Sequence, residues 1–104
     1  MKYLGNAFSL NMIAGSHDFR KRVLTEPEFV IGAADAKSVW GHEQSAPIVS
    51  SMIGRTVELN RISLTLQPGD ELYVAQYQGP RLPEGATALP EGAKFEWVVV
   101  TVLN

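Results

Sequence analysis

Toward the end of the chain, Phe95-Glu96-Trp97-Val98-Val99-Val100-Thr101-Val102-Leu103 forms an almost unbroken apolar, β-branched run. Branched side chains are restricted in a helix and pack well on a pleated surface, so this run is predicted to be a central strand. A strand of that kind needs neighbours on both edges, and the rest of the chain has to supply them. The 104 residues leave room for one core but not two, so residues 1–104 are read as a single domain. Apolar residues at 45% and charged residues at 19% argue against a disordered chain.

Other segments supply the partners. Met1 to Ala7 reads as a first strand ending at Gly5-Asn6-Ala7, and Phe8 to Ile13 suits a tight connection or a single helical turn. Arg22 to Glu26 reads as a second strand stopped by Pro27, Phe29 to Ala36 is ambiguous, and Lys37 to Trp40 reads as a third strand. Ile62, Leu64 and Leu66 alternate with Ser63, Thr65 and Gln67, the period of a half-buried strand. Pro68-Gly69-Asp70 is a turn signal before Leu72 to Tyr77, which predicts a hairpin. Residues 79–93 are rich in Pro and Gly and hold no regular element. The clearest helix begins after Ser45, a candidate N-cap, with Pro47 in its first turn; Ile48, Val49, Met52 and Ile53 form its apolar stripe and Gly54 ends it. Together these elements predict an α+β fold, a mixed sheet with a short helix packed on one face. Trp40, Trp97 and Tyr73 are expected in the core.

Several chemistries are excluded early. The chain has no cysteine, so disulfides, thiolate metal sites and thiol nucleophiles are ruled out. Its two histidines lie 25 residues apart among scattered carboxylates, without metal-ligand spacing, and no phosphate-cradling Gly-rich loop is present. No apolar run approaches the roughly 18–20 residues of a membrane span, and no signal-peptide core is seen, so a cytoplasmic protein without membrane partner is expected. A net charge of −2 and a pI near 5.6 argue against long duplex nucleic acid, whose binding needs a basic surface. The one dense basic run, Arg20-Lys21-Arg22, reads as a solvated face, with a phosphate-facing patch as the lesser alternative.

Two places stand out as candidate sites. His42 follows Gly41 at a strand end and precedes a helix N-terminus, where the dipole favours an anion; a histidine there can touch a phosphate and pass it a proton. The alternative is a packed or exposed histidine, and His17 is read as a surface residue. On the Pro/Gly-rich loop, Arg81 is suited to pair with phosphate, and Glu84 to receive a hydroxyl proton or pair with Arg81. Asn6, Ser9 and Asn11 form a polar set that can serve as ligand donors or as turn formers.

Four segments, in order along most of the chain, resemble one family. Leu4-Gly5-Asn6-Ala7-Phe8-Ser9-Leu10-Asn11-Met12 is similar to its N-terminal signature, and Gly41-His42-Glu43-Gln44-Ser45 to the stretch before its helix. Leu59-Asn60-Arg61 is similar to the segment opening a strand, and Arg81-Leu82-Pro83-Glu84-Gly85 to its loop. The family is that of the small ring nucleases of archaeal viruses, phages and some bacteria, whose viral members act as anti-CRISPR proteins against type III systems. The chain departs from many members at Pro83, where they carry glutamate, at the additional Gly79-Pro80, and in the short Ala86 to Gly92 stretch that stands where a helix commonly follows.

The resemblance implies a homodimer binding cyclic tetra-adenylate across its two-fold axis, without metal or other cofactor. It implies attack of a ribose 2′-hydroxyl on the adjacent phosphodiester, giving linear di-adenylates with 2′,3′-cyclic phosphate ends. His42 would be the general acid, Arg81 would stabilise charge on the phosphate, and Glu84 would orient or deprotonate the hydroxyl. Asn6, Ser9, Asn11, Arg61 and Gln76 would contact the ring. Two other functions stay open at this point: a protein that sequesters a cyclic oligonucleotide without cutting it, and a small DNA-binding regulator.

Overall fold

The computed structural model describes residues 1–104. Strands β1 (Lys2–Gly5), β2 (Phe19–Leu24), β3 (Lys37–Ser38), β4 (Glu71–Gln78) and β5 (Lys94–Val102) form one mixed sheet in the order β2-β5-β4-β1-β3. β5 runs antiparallel to both β2 and β4, with Val100 opposite Lys21 on one side and Leu72 on the other. The apolar C-terminal run is therefore an internal strand, as its composition requires. β1 runs parallel to β3 and to β4, with Leu4 opposite Ser38 and Tyr73.

Helices α1 (Glu26–Gly32) and α2 (Ala46–Ile53) cover one face of the sheet. There Phe29, Ala33, Ile48, Val49 and Ile53 meet Leu4, Tyr73, Ala75, Phe95, Trp97 and Val99 in the larger of two cores. The Phe29 ring lies 5.8 Å from Tyr73, edge-on, and 4.8 Å from Trp97, which fastens α1 to β4 and β5. Gly32 is required at the end of α1, because a Cβ there would fall 2.5 Å from the Tyr73 ring. The other face is a smaller core of Leu66, Leu72, Val74, Val98, Val100 and Val102, roofed by Tyr3, Phe8, Met12, Ile13, Val39 and Leu64. Trp40 and Leu72 are fully buried, Tyr73 and Trp97 nearly so. The α+β class with a mixed sheet is confirmed, with two helices in place of one.

The structure changes three readings. Pro27 stands in the first turn of α1, with Thr25 as its N-cap, so the proline opens a helix where the sequence suggested the end of a strand. Helix α1 thereby takes up the first half of the ambiguous Phe29 to Ala36 stretch, through Gly32. The alternating segment 62–67 makes no hairpin with β4, because both edges of β4 are occupied by β1 and β5. Leu66 instead bridges Ile13, and the apolar alternation serves to roof the second core. His17 is half-buried, and its Nδ1 is enclosed without a hydrogen-bond partner, where the sequence suggested a surface side chain. No helix is long and apolar enough to cross a membrane.

Candidate functional site

Parallel pairing decides where the candidate residues go. β1, β3 and β4 all point the same way, and Leu59 bridges Trp40 in parallel, so the chain following each leaves at the same end of the sheet. Asn6, Ser9 and Asn11 follow β1, His42 follows β3, Arg61 follows the Leu59 bridge, and Gln76 with Arg81 and Glu84 ends or follows β4. In open sheets containing parallel strands, this carboxyl end is where ligands bind. α2 begins at the same end, three residues after Glu43.

Three of the eight residues line one cleft. Asn6, His42 and Arg61 surround a volume of about 480 Å³ whose wall is completed by Met12, Val39, Ile62 and Leu64. That is within the usual range for a small-molecule site, with an apolar wall and a few polar groups to orient a ligand. Asn6 Oδ1 accepts a hydrogen bond from Gly41 N at 2.8 Å, tying the end of β1 to the loop that carries His42. Asn60 acts from the other side: its N donates to Trp40 O at 2.9 Å and its Nδ2 to Ser38 O at 2.9 Å. The Arg61 stem lies across Gly41, where a Cβ would stand 3.2 Å from Arg61 Cγ. Arg61 and Arg81 take part in no ion pair; the three ion pairs join Met1 to Asp70, Lys2 to Asp35, and Lys21 to Glu96. The cleft thus presents a guanidinium free of a carboxylate partner beside an imidazole, an arrangement suited to an anion.

His42 is anchored through one ring nitrogen. Its Nδ1 lies 2.6 Å from Ser45 Oγ, and its Nε2 has no protein partner. Ser45 occupies the N-cap position of α2 but makes no side-chain cap hydrogen bond. Its hydroxyl is turned instead toward His42, and it accepts from the indole Nε1 of Trp40 at 3.2 Å. The same indole nitrogen donates to His42 O at 2.9 Å. Sequence reading assigned Ser45 to the helix and Trp40 to the core, and missed that both also hold the histidine; the signal was their spacing, two residues before and three after His42.

The remaining candidates stand outside the cleft. Glu84 lines a neighbouring hollow of about 180 Å³ with Glu43, Gln44, Pro47, Gly85 and Ala86, so the loop rests against the start of α2. Leu82 is buried in the main core and anchors that loop, while Arg81 beside it is exposed and lines neither hollow. Arg81 and Glu84 form no ion pair with each other. Gln76 lies two residues beyond the last β1–β4 pair, in a small hollow with Phe8, Lys21 and Val98. Ser9 caps the 3-10 turn Leu10–Met12 by accepting from Asn11 N at 3.3 Å, and both side chains are exposed. No three His, Asp or Glu side chains come together as a metal site would need. The displaced pKa values belong to the surroundings of α1: Lys2 is raised by its hydrogen bond to Asp35, Glu28 is lowered by its hydrogen bonds to Thr25, and Tyr73 is raised by burial.

Comparison with known proteins gives a consistent picture of the fold. The structure is similar to that of B116 of Sulfolobus turreted icosahedral virus (STIV), with a TM-score of 0.79 over 96% of this chain and 97% of that one, at 23% sequence identity. No curated protein matches. A family model described as STIV B116-like matches residues 2–93, which takes in all the cleft residues and the whole of the loop after β4. The chain belongs to the STIV B116-like family.

Proposed function

We propose that the protein is a metal-independent ring nuclease that opens cyclic tetra-adenylate, and so acts as an anti-CRISPR protein or as an off-switch for type III CRISPR signalling. The observation that carries this reading is the meeting of His42, Arg61 and Asn6 in one cleft, with His42 Nε2 left without a protein partner. The segment resemblance supplies the substrate. The chemistry asks little of the protein. A ribose 2′-oxygen attacks its neighbouring phosphorus, the bond from phosphorus to the 5′-oxygen breaks, and the product ends are a 2′,3′-cyclic phosphate and a 5′-hydroxyl. The nucleophile belongs to the substrate, so alignment, a cation and a proton donor are enough.

In this mechanism His42 Nε2 gives its proton to the departing 5′-oxygen. Arg61 and Asn6 hold the phosphate and its nucleotide, and Glu84 takes the 2′-hydroxyl proton from its place beside the start of α2. Arg81 approaches the phosphate from the loop. Ser9, Asn11 and Gln76 contact the ring at its edge. One cleft serves one part of a ring with four phosphates, so the active form is a homodimer in which two copies meet the ring across a two-fold axis.

A second reading, sequestration without cleavage, is favoured by the exposed place of Arg81 outside the cleft lining. Incubation of protein with a large excess of cyclic tetra-adenylate separates the two. A nuclease consumes many rings per dimer, whereas a sequestering protein protects a stoichiometric amount and leaves every ring intact.

A further inference from the structure

Ser45 sits in an unusual position for an N-cap. It is 1% exposed, yet its hydroxyl caps nothing and faces the His42 ring. A hydroxyl has one proton and two acceptor lone pairs, and each has a partner here. The Trp40 indole N–H, shared with His42 O at 2.9 Å, reaches one lone pair at 3.2 Å. The Ser45 proton has His42 O within reach at 3.3 Å. Ser45 Oγ lies 2.6 Å from His42 Nδ1, and when the ring carries a proton on Nδ1 the second lone pair is its acceptor. A protonated imidazole carries N–H groups on both nitrogens, and the Nδ1–H is met in full by that lone pair.

We infer that Ser45, set in place by Trp40, is a positioning residue for His42: it accepts the Nδ1–H of the protonated ring, so that Nε2 alone carries the proton that leaves. The inference rests on His42 as the proton donor of the proposed reaction. Without this latch the ring is free to turn about its Cβ–Cγ bond, which puts Cε1 where Nε2 stood and takes the proton away from the departing oxygen. After the proton has gone from Nε2, the neutral ring stays held in the Nδ1–H form. Arg61 across the cleft and Glu43 next in the chain are the charged neighbours, and neither bonds the ring.

The test uses protein labelled with 15N at histidine, in acidic buffer. The wild type is expected to show a slowly exchanging His42 Nδ1–H resonance, protected by its bond to a buried oxygen. Ser45→Ala should lose it, and Ser45→Cys, nearly isosteric but a far weaker acceptor, should lose it as well should the alanine variant fail to fold. Ser50→Ala, which removes a structural hydroxyl bonded to Ala46 O and Val57 N, should keep it. On cyclic tetra-adenylate, Ser45→Ala should lower the single-turnover rate by on the order of tenfold with little change in KM, and Ser45→Thr should restore it. An absent resonance in the wild type, or one that persists in both Ser45→Ala and Ser45→Cys, overturns the inference. A resonance that behaves as expected while His42→Ala cleaves at the wild-type rate overturns the proton-donor reading and leaves the Ser45 latch standing.

Discussion

Gly41, Asn6 and Arg61 show how much of the cleft is set by single contacts. A Cβ at position 41 would press on Arg61 Cγ at 3.2 Å, a contact that makes the arginine stem shift by a few tenths of an ångström. Gly41→Ala should therefore leave the fold intact and weaken binding of cyclic tetra-adenylate, as read by calorimetry; unchanged affinity would remove Arg61 from the ligand site. Asn6→Ala takes the acceptor from Gly41 N, and leaving a part-buried donor unpaired costs about 1–3 kcal/mol. Urea unfolding measures that loss. His42→Ala should lower the single-turnover rate by about 10²- to 10⁴-fold, the usual worth of a general acid. The setting of His42 was legible because its neighbours in sequence, Gly41 and Ser45, are also its neighbours in space. The surroundings of Arg81 were not, because a loop without regular structure takes its course from long-range anchors such as Leu82.

Elements follow the same division between local and distant causes. Helix α1 carries its own start signal: Thr25 Oγ1 accepts from Glu28 N, and the Glu28 carboxylate accepts from Thr25 N. Those bonds hold the Glu28 carboxyl below its ordinary range. A carboxyl lowered on folding stabilises the fold above its unfolded pKa, and the effect fades as pH falls through the folded pKa. Thr25→Ala should accordingly reduce the melting temperature by a few degrees at neutral pH and by less in acid, in parallel calorimetric scans. Phe29→Ala should cost about 3–5 kcal/mol, since it empties the fully buried joint between α1 and the Tyr73–Trp97 pair. The strand-like alternation of Ile62, Leu64 and Leu66 misled because periodicity reports burial on one side and says nothing of which strand edges are vacant. The internal place of β5 was legible because burial on both faces and both edges leaves an unbroken apolar run.

At the scale of the whole molecule, the sheet order gathers the candidate residues of the proposed function at one end. A net charge of −2 and an exposed Arg20-Lys21-Arg22 run confined to edge strand β2 suit a small anionic ligand better than a long one. Three parallel strands deliver Asn6, His42 and the loop bearing Arg81 to one end of the sheet, so a few local groups can meet a compact ring of phosphates. In the proposed function this end cuts such a ring through the ring's own 2′-hydroxyl. The most direct measurement is chromatography, with mass detection, of cyclic tetra-adenylate incubated at large excess with the protein and EDTA. Multiple turnovers to linear di-adenylates ending in 2′,3′-cyclic phosphate are the expected result. Intact rings, or products formed only when a metal ion is restored, would contradict it.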